Sequence, residues 1–291
     1  MPALRLMNRY RTDRLLTLYC FHPILRTFGA RGLPRIPILM YHSVSRRSAE
    51  QGHPYFALNT DPAVFDLHLS SLRDLGYRVV GLDEIVDRVS GSRSDGAKGD
   101  DRCAVVTFDD GFRDVYDIAY PMLDKYGFRA TVFLPTKYVG NRGTAFQGRE
   151  CMTWDEVRFL SGKGIEFGSH TVSHDLLVEM SADRIEQELK QSKSDIEHET
   201  GTEARFFSYP FRYPENDRAF VRRLEELLER TGYRAAVSTR IGTARRGDRL
   251  YSLKRIPVNS NDDPRLFQAK LEGGYDWLYP LQYVKKRLII Y

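Results

Sequence analysis

The sequence predicts an α/β protein and, within that class, a (β/α) barrel. Three observations carry the prediction. From residue 36 onward, short β-rich runs alternate with helical patterns. Several of those runs are almost continuously apolar, as strands buried on both faces of a parallel sheet are. Finally, neither GxGxxG nor GxxxxGK[ST] follows the first strand, which disfavours an open nucleotide-binding sheet.

The strand candidates in chain order are IPILMY (36–41), YRVVG (77–81), CAVVTF (103–108), ATVFL (130–134) and IEFG (165–168). They continue with RFFSY (205–209), YRAAVS (233–238) and LKRIPV (253–258). Helical segments with recognisable ends lie between them. Thr153 and Glu156 in TWDEVRFL form a capping box. Ser181 opens SADRIEQELKQSKSDIEHETG and Gly201 closes it in a left-handed position, while FVRRLEELLERTG ends at Gly232. The polar stretch SGSRSDGAKGDD (90–101) reads as a surface loop, because the alternation resumes at once. Eight strands alternating with helices over ~220 residues suit one barrel domain.

Composition narrows the function classes. Hydrophobic residues make up 42% of the 291, enough for a sizeable core. Cys20, Cys103 and Cys151 leave one thiol over in any pairing and form no CxxC, so three reduced thiols are expected. Residues 1–35 hold seven arginines against Asp13, a local charge of +6, so the remaining chain sums to −1. A body without net positive charge argues against nucleic-acid binding by a broad folded surface. No apolar run approaches the ~20 residues of a spanning helix. LLTLYCFHPIL is short, is interrupted by His22 and Pro23, and lacks a clean small-residue cleavage site.

In both barrels and open α/β sheets, functional groups gather at the carboxyl ends of the strands. There the chain places His42, Asp109 with Asp110, His170 with His174, and Tyr209. Asp110, His170 and His174 would make an N,N,O set with open coordination positions, suited to a catalytic divalent metal, zinc first. HTVSH turns both imidazoles to one point if the chain turns or enters a helix after Gly168. Alone, HxxxH fits many unrelated histidine pairs, and a strand-terminal DD also fits a helix cap beside a solvated acid.

TFDDG followed by HTVSH resembles the first two motifs of the polysaccharide deacetylase family, the NodB-homology or carbohydrate esterase 4 enzymes. The resemblance runs from about residue 36 to about 260 and includes PILMYHS, FRATVFL, MTWDEVRFL and IEFGSHTVSHDLL. It implies a distorted (β/α) barrel of the NodB-homology type and a hydrolase that removes N-acyl groups, usually N-acetyl, from amino sugars. Asp109 is then the general base, with Asp110, His170 and His174 the metal ligands. Tyr209, in FSYPF, matches the third motif, where the tyrosine backbone N–H helps bind the oxyanion. A deformylase or deacetylase of a lipid-linked sugar, and a degenerate glycan-binding member, are the alternatives.

Two departures from the family pattern stand out. Phe206 occupies the third-motif position that commonly holds arginine, which leaves Arg205, Arg212 or Arg255 to orient Asp109. No histidine follows His198, so the late-motif general acid is missing. His42, at the end of PILMYH, is the expected replacement, because the leaving nitrogen needs a proton and imidazole titrates in the working range. His22, His53 and His68 end no predicted strand, and His198 lies in a charged helical run.

The expected organisation is a basic arm (1–35), a catalytic domain (36–260) and a C-terminal extension (261–291) packed on or beside the barrel. The expected partners are an N-acetylated glycan and, through residues 1–35, an anionic membrane surface. Arginines interleaved with Leu6, Leu15, Leu16, Tyr19 and Phe21, and the closing YVKKRLIIY, motivate the second. A solvated arm, or a helix covering the barrel bottom, is the competing reading of that segment. The expected location is cytoplasmic, or peripheral at the inner membrane face.

Overall fold

The computed structural model describes residues 11–28, 35–46, 57–92, 102–140 and 143–288. Most of the 90–101 loop, together with His53, Leu6, Arg5, Arg9 and Arg31, lies outside the described residues. The strands are β1 (Ile38–Tyr41), β2 (Ser43–Val44), β3 (Asn59–Thr60), β4 (Arg78–Val79), β5 (Cys103–Phe108) and β6 (Thr131–Leu134). Then come β7 (Ala145–Phe146), β8 (Arg149–Glu150), β9 (Glu166–Ser169), β10 (Phe206–Ser208), β11 (Ala235–Ile241) and β12 (Leu253–Pro257). Seven run parallel in the order β1-β12-β11-β10-β9-β6-β5, and β5 pairs back onto β1. The sheet is a closed barrel.

The eighth expected strand stands outside the ring. β4 pairs only with Cys103 and Ala104 at the start of β5, while β1 occupies the rest of that edge from Val105 to Phe108. Arg78 is exposed and Val79 only half-buried, so this segment lacks the two buried faces of a ring strand.

Side-chain alternation sorts the barrel into an inside and an outside. Leu39, Val106, Phe108, Val132, Leu134 and Ile256 face a helical layer that includes Pro62–Asp74 and Trp154–Ser161. Ile38, Val105, Phe133, Phe206, Val237 and Leu253 form the interior, packed against Leu82, Ile85, Val86 and Val89 of the helix Leu82–Ser90. Continuing these interior rows by two residues per step sets the site. Val105 leads to Thr107 and Asp109, Leu253 to Arg255, Phe206 to Ser208, and Ile38 to Met40 and His42. An apolar floor thus carries a polar layer at the carboxyl ends of the strands. Gly168, on the row of His170, has no room for a side chain: a Cβ there would sit 2.7 Å from the Phe133 ring and the Phe206 carbonyl.

Capping follows the sequence signals. Thr153 and Glu156 make the expected capping box, Ser181 accepts from the Arg184 N–H, and Gly201 ends Ala182–Thr200 in the left-handed region. The cysteines are free thiols. Near the N-terminus, Thr12–Leu16 and His22–Phe28 are joined by a π-helical turn and lie against residues 261–277. Among the described residues, no helix is long and apolar enough to cross a membrane.

Candidate active site

β5 delivers Asp109 and Asp110 into a turn where Asp110 and Gly111 both have positive φ, 72° and 62°. A β-carbon at Gly111 would meet Leu134 at 2.6 Å, so the turn needs glycine there. After β9 the chain turns rather than entering a helix, with Thr171 and His174 at φ 66° and 58°. A β-branched residue in that region is strained. The other two non-glycine residues with positive φ among those described, Gln147 and Phe211, line the same cavity as Asp110 and His174. Backbone strain is concentrated at this one place.

The HTVSH turn is stitched from below. Glu188, buried on the helix Ala182–Thr200, accepts from the backbone N–H groups of Val172 (2.8 Å) and Ser173 (2.9 Å). Ser169 accepts from Thr171 N–H, Thr171 Oγ1 accepts from His174 N–H, and Ser192 contacts Ser169 at 2.6 Å. The rings of Phe146 and Phe211 flank His174 at 4.8 and 4.7 Å.

The result is a buried N,N,O cluster. His174 Nε2 lies 3.3 Å and His170 Nε2 3.6 Å from Asp110 Oδ1, and one ligand atom from each residue falls within 4.8 Å of the others. His170 Nδ1 is 2.7 Å from the Ser208 carbonyl, which only accepts, so Nδ1 carries the hydrogen and Nε2 presents its lone pair. Burial pushes the His170 imidazole down to about 4, against the pull of Asp109, so it stays neutral and available as a ligand. His174 Nδ1 is buried without a hydrogen-bond partner. This donor set fits a divalent cation.

Asp109 is held differently. Arg255, fully buried on β12, grips both carboxylate oxygens at 2.7 Å. The guanidinium is itself fixed by the Ser238 carbonyl (3.2 Å), Thr107 Oγ1 (3.3 Å) and Ser208 Oγ (3.0 Å). Burial alone would raise the Asp109 pKa, but Arg255, His170 and His42 outweigh it and hold the carboxyl well below the usual range. Asp110 is also lowered: burial opposes the shift, and the hydrogen bond from His174 and the nearby imidazoles prevail. Of the three candidate arginines, Arg255 meets Asp109. Arg205 pairs with Asp83 and Glu166 near the strand starts, and Arg212 lines a separate depression with Glu179 and Asp217.

One cavity of about 330 Å³ is lined by Asp109, Asp110, His170, His174, His42 and Tyr209. All six residues singled out in the sequence therefore meet. The half-buried His42 stands on the rim expected for it. Tyr209 is buried, its hydroxyl donating to the Tyr251 carbonyl (2.8 Å) and its backbone N–H to the Val237 carbonyl at 3.3 Å. That N–H is therefore held by a long ladder bond rather than pointing free into the cavity. His68 is a core residue between Tyr41 Oη (3.0 Å) and the Asp262 carbonyl (2.9 Å), His22 pairs with Glu272 (2.7 Å), and His198 is exposed.

Sequence reasoning missed Glu188, Ser192, Phe146, Gln147 and Gln282. Glu188 and Ser192 left a signal, since they fall on the apolar stripe with Ile185, Leu189 and Ile196. Gln282 left none. It lines the cavity from the C-terminal helix and bonds Ile241 N–H (3.1 Å) and the Thr239 carbonyl (2.8 Å) of β11.

Comparison with known proteins places this geometry. The polysaccharide deacetylase family model matches residues 96–236. "Putative polysaccharide deacetylase YxkH" of Bacillus subtilis (strain 168) is 30% identical over 240 residues, covering 82% of this chain and 77% of that protein. The chain belongs to the polysaccharide deacetylase family. Among solved structures, the Streptococcus pyogenes deacetylase PplD in complex with acetate matches with TM-score 0.69 and 27% identity, over 82% of this chain and 99% of that one. IcaB from Ammonifex degensii matches with TM-score 0.67 at 22% identity, over 82% and 98%, a likeness of fold. In this family member the expected (β/α) barrel is the observed one, and family membership together with the Asp110, His170, His174 cluster supports a deacetylase.

Proposed function

We propose that this chain is a metal-dependent hydrolase that removes N-acetyl groups from amino sugars of a polysaccharide or glycoconjugate. The observation that carries the reading is the clamped Asp109 beside the Asp110, His170, His174 cluster in one cavity. A divalent cation in that cluster, zinc by the donor set, would supply Lewis acidity toward the acyl carbonyl and acidify water. Asp110 contributes the negative charge of the ligand set, and His170 and His174 the two imidazole nitrogens.

Asp109 takes the proton of the attacking water, and Arg255 keeps it ionised and oriented for that step. His42 delivers a proton to the leaving nitrogen, since an amine anion is too basic to depart. The Tyr209 N–H joins in holding the oxyanion by giving up or sharing its long bond to Val237. Acetate as the released acid is supported by PplD, a deacetylase solved in complex with acetate. The intact base and ligand set speaks against a degenerate glycan-binding role.

Metal analysis combined with an acetate-release assay tests the reading. N-acetylated chitooligosaccharide, peptidoglycan and exopolysaccharide fragments are the substrates. Activity on at least one, abolished by chelation and restored by a divalent cation, is the expected result. Full turnover by the metal-stripped protein, or no release from any fragment, overturns it.

A further inference from the structure

The helical segment 12–28 is amphipathic with the wrong side out. Three of its polar residues face the protein. Asp13 and Thr17 are buried and bonded to Tyr275 and Trp277, and His22 is buried against Glu272. Leu18 is buried, but most of the segment's apolar residues face outward: Leu15 is 49% exposed, Tyr19 60%, Ile24 56% and Phe28 81%. Phe21, also exposed, stacks on Trp277 at 4.5 Å and extends the apolar surface to the C-terminal elements. An apolar stripe of this kind on a helix held down by its polar side calls for an apolar cover.

The charges beside the stripe are cationic. The nearby acids are engaged: Asp263 by Arg14 (2.6 Å), Glu272 by His22 (2.7 Å), and Asp13 by Arg11 (2.8 Å). Arg26 is 68% exposed at the edge of pairing with Glu272 (4.0 Å), and exposed Arg265 lies over the Tyr19 ring at 5.9 Å. A second copy of the chain would fit this surface poorly, because a two-fold interface would set the exposed Arg26 and Arg265 of one copy against those of the other. An anionic lipid surface supplies both partners at once, acyl chains for the stripe and headgroups for the arginines.

We propose that the outward face of residues 12–28 seats the protein on an anionic membrane surface. The helix Leu278–Leu288 begins next to Trp277, and its Gln282 lines the catalytic cavity about 8 Å further along the axis. With the deacetylase reading, on which this step alone rests, the substrate is a glycan held at the membrane.

Sedimentation of the full chain with phosphatidylcholine vesicles, with and without phosphatidylglycerol, tests the docking. Binding only to the anionic vesicles, weakened by salt, is expected. Tyr19→Ser with Ile24→Ser should weaken it at least about tenfold, and Arg26→Gln with Arg265→Gln should reduce the preference for anionic lipid. Both pairs are exposed, so thermal unfolding should be unchanged. Equal binding to both vesicles, binding to neither, or binding indifferent to the serine pair overturns the proposal. So does a dimer in light scattering that the serine pair converts to monomer, which would assign the stripe to a second copy. None of these readouts depends on catalysis.

Discussion

Two carboxylates one peptide bond apart meet different partners here, Arg255 for Asp109 and two imidazoles for Asp110. The pairing makes the two roles separable by experiment. Asp109→Asn should retain bound metal while kcat falls by ~10²–10⁴, the usual worth of a general base. Metal loss in that variant would show that the two aspartates exchange roles. His42→Gln should likewise keep its metal and lose about 10² or more in kcat. Near-normal turnover on an amide substrate would remove His42 from the mechanism. Which arginine holds Asp109 was open in the sequence, because the Leu253–Arg255 and Val105–Asp109 rows become neighbours only when the barrel closes.

At the scale of elements, the HTVSH turn depends on a helix that begins after it. Glu188 satisfies two N–H groups of that turn from the helix Ala182–Thr200, so Glu188→Ala leaves both without that partner, Ser173's in a buried position. Metal affinity should fall by about 10–100-fold, as it does when supporting partners of ligands are lost. The measurement is a metal titration followed by isothermal calorimetry, with circular dichroism unchanged. An affinity equal to wild type would mean the turn holds its shape without the helix. Helix ends, such as the Thr153 box and the Ser181 cap, were legible because capping is local chemistry. The β4 strand was misplaced because an apolar run reports burial potential and not a place in the ring.

For the whole molecule, the strand starts carry a pH-sensitive group remote from the cavity. Burial raises Glu166 from its ordinary 4.5 to about 7, with Asp83 adding to the shift and Thr131 and Arg205 opposing it. Between those values the folded chain holds a proton that the unfolded chain has released. Stability therefore falls as pH rises through that window, and the loss is complete above it. Glu166→Gln should stabilise the protein by about 1–2 kcal/mol near pH 8 and by almost nothing near pH 4. Thermal melts at the two pH values check this; an equal gain at both would mean the effect is packing rather than titration.

The sequence by itself determined the alternation of strands and helices, the TFDDG and HTVSH motifs and the family, because these reside in short stretches whose chemistry is local. It also placed the rim residues, since a strand's end and its side-chain alternation are properties of one segment. Only the tertiary structure decided that Arg255 clamps Asp109, that Glu188 supports the HTVSH turn and that Gln282 lines the cavity. It alone showed that residues 12–28 turn their apolar side outward. Each of these joins segments far apart in the chain, and such contacts are set by barrel closure and helix docking rather than by any local pattern.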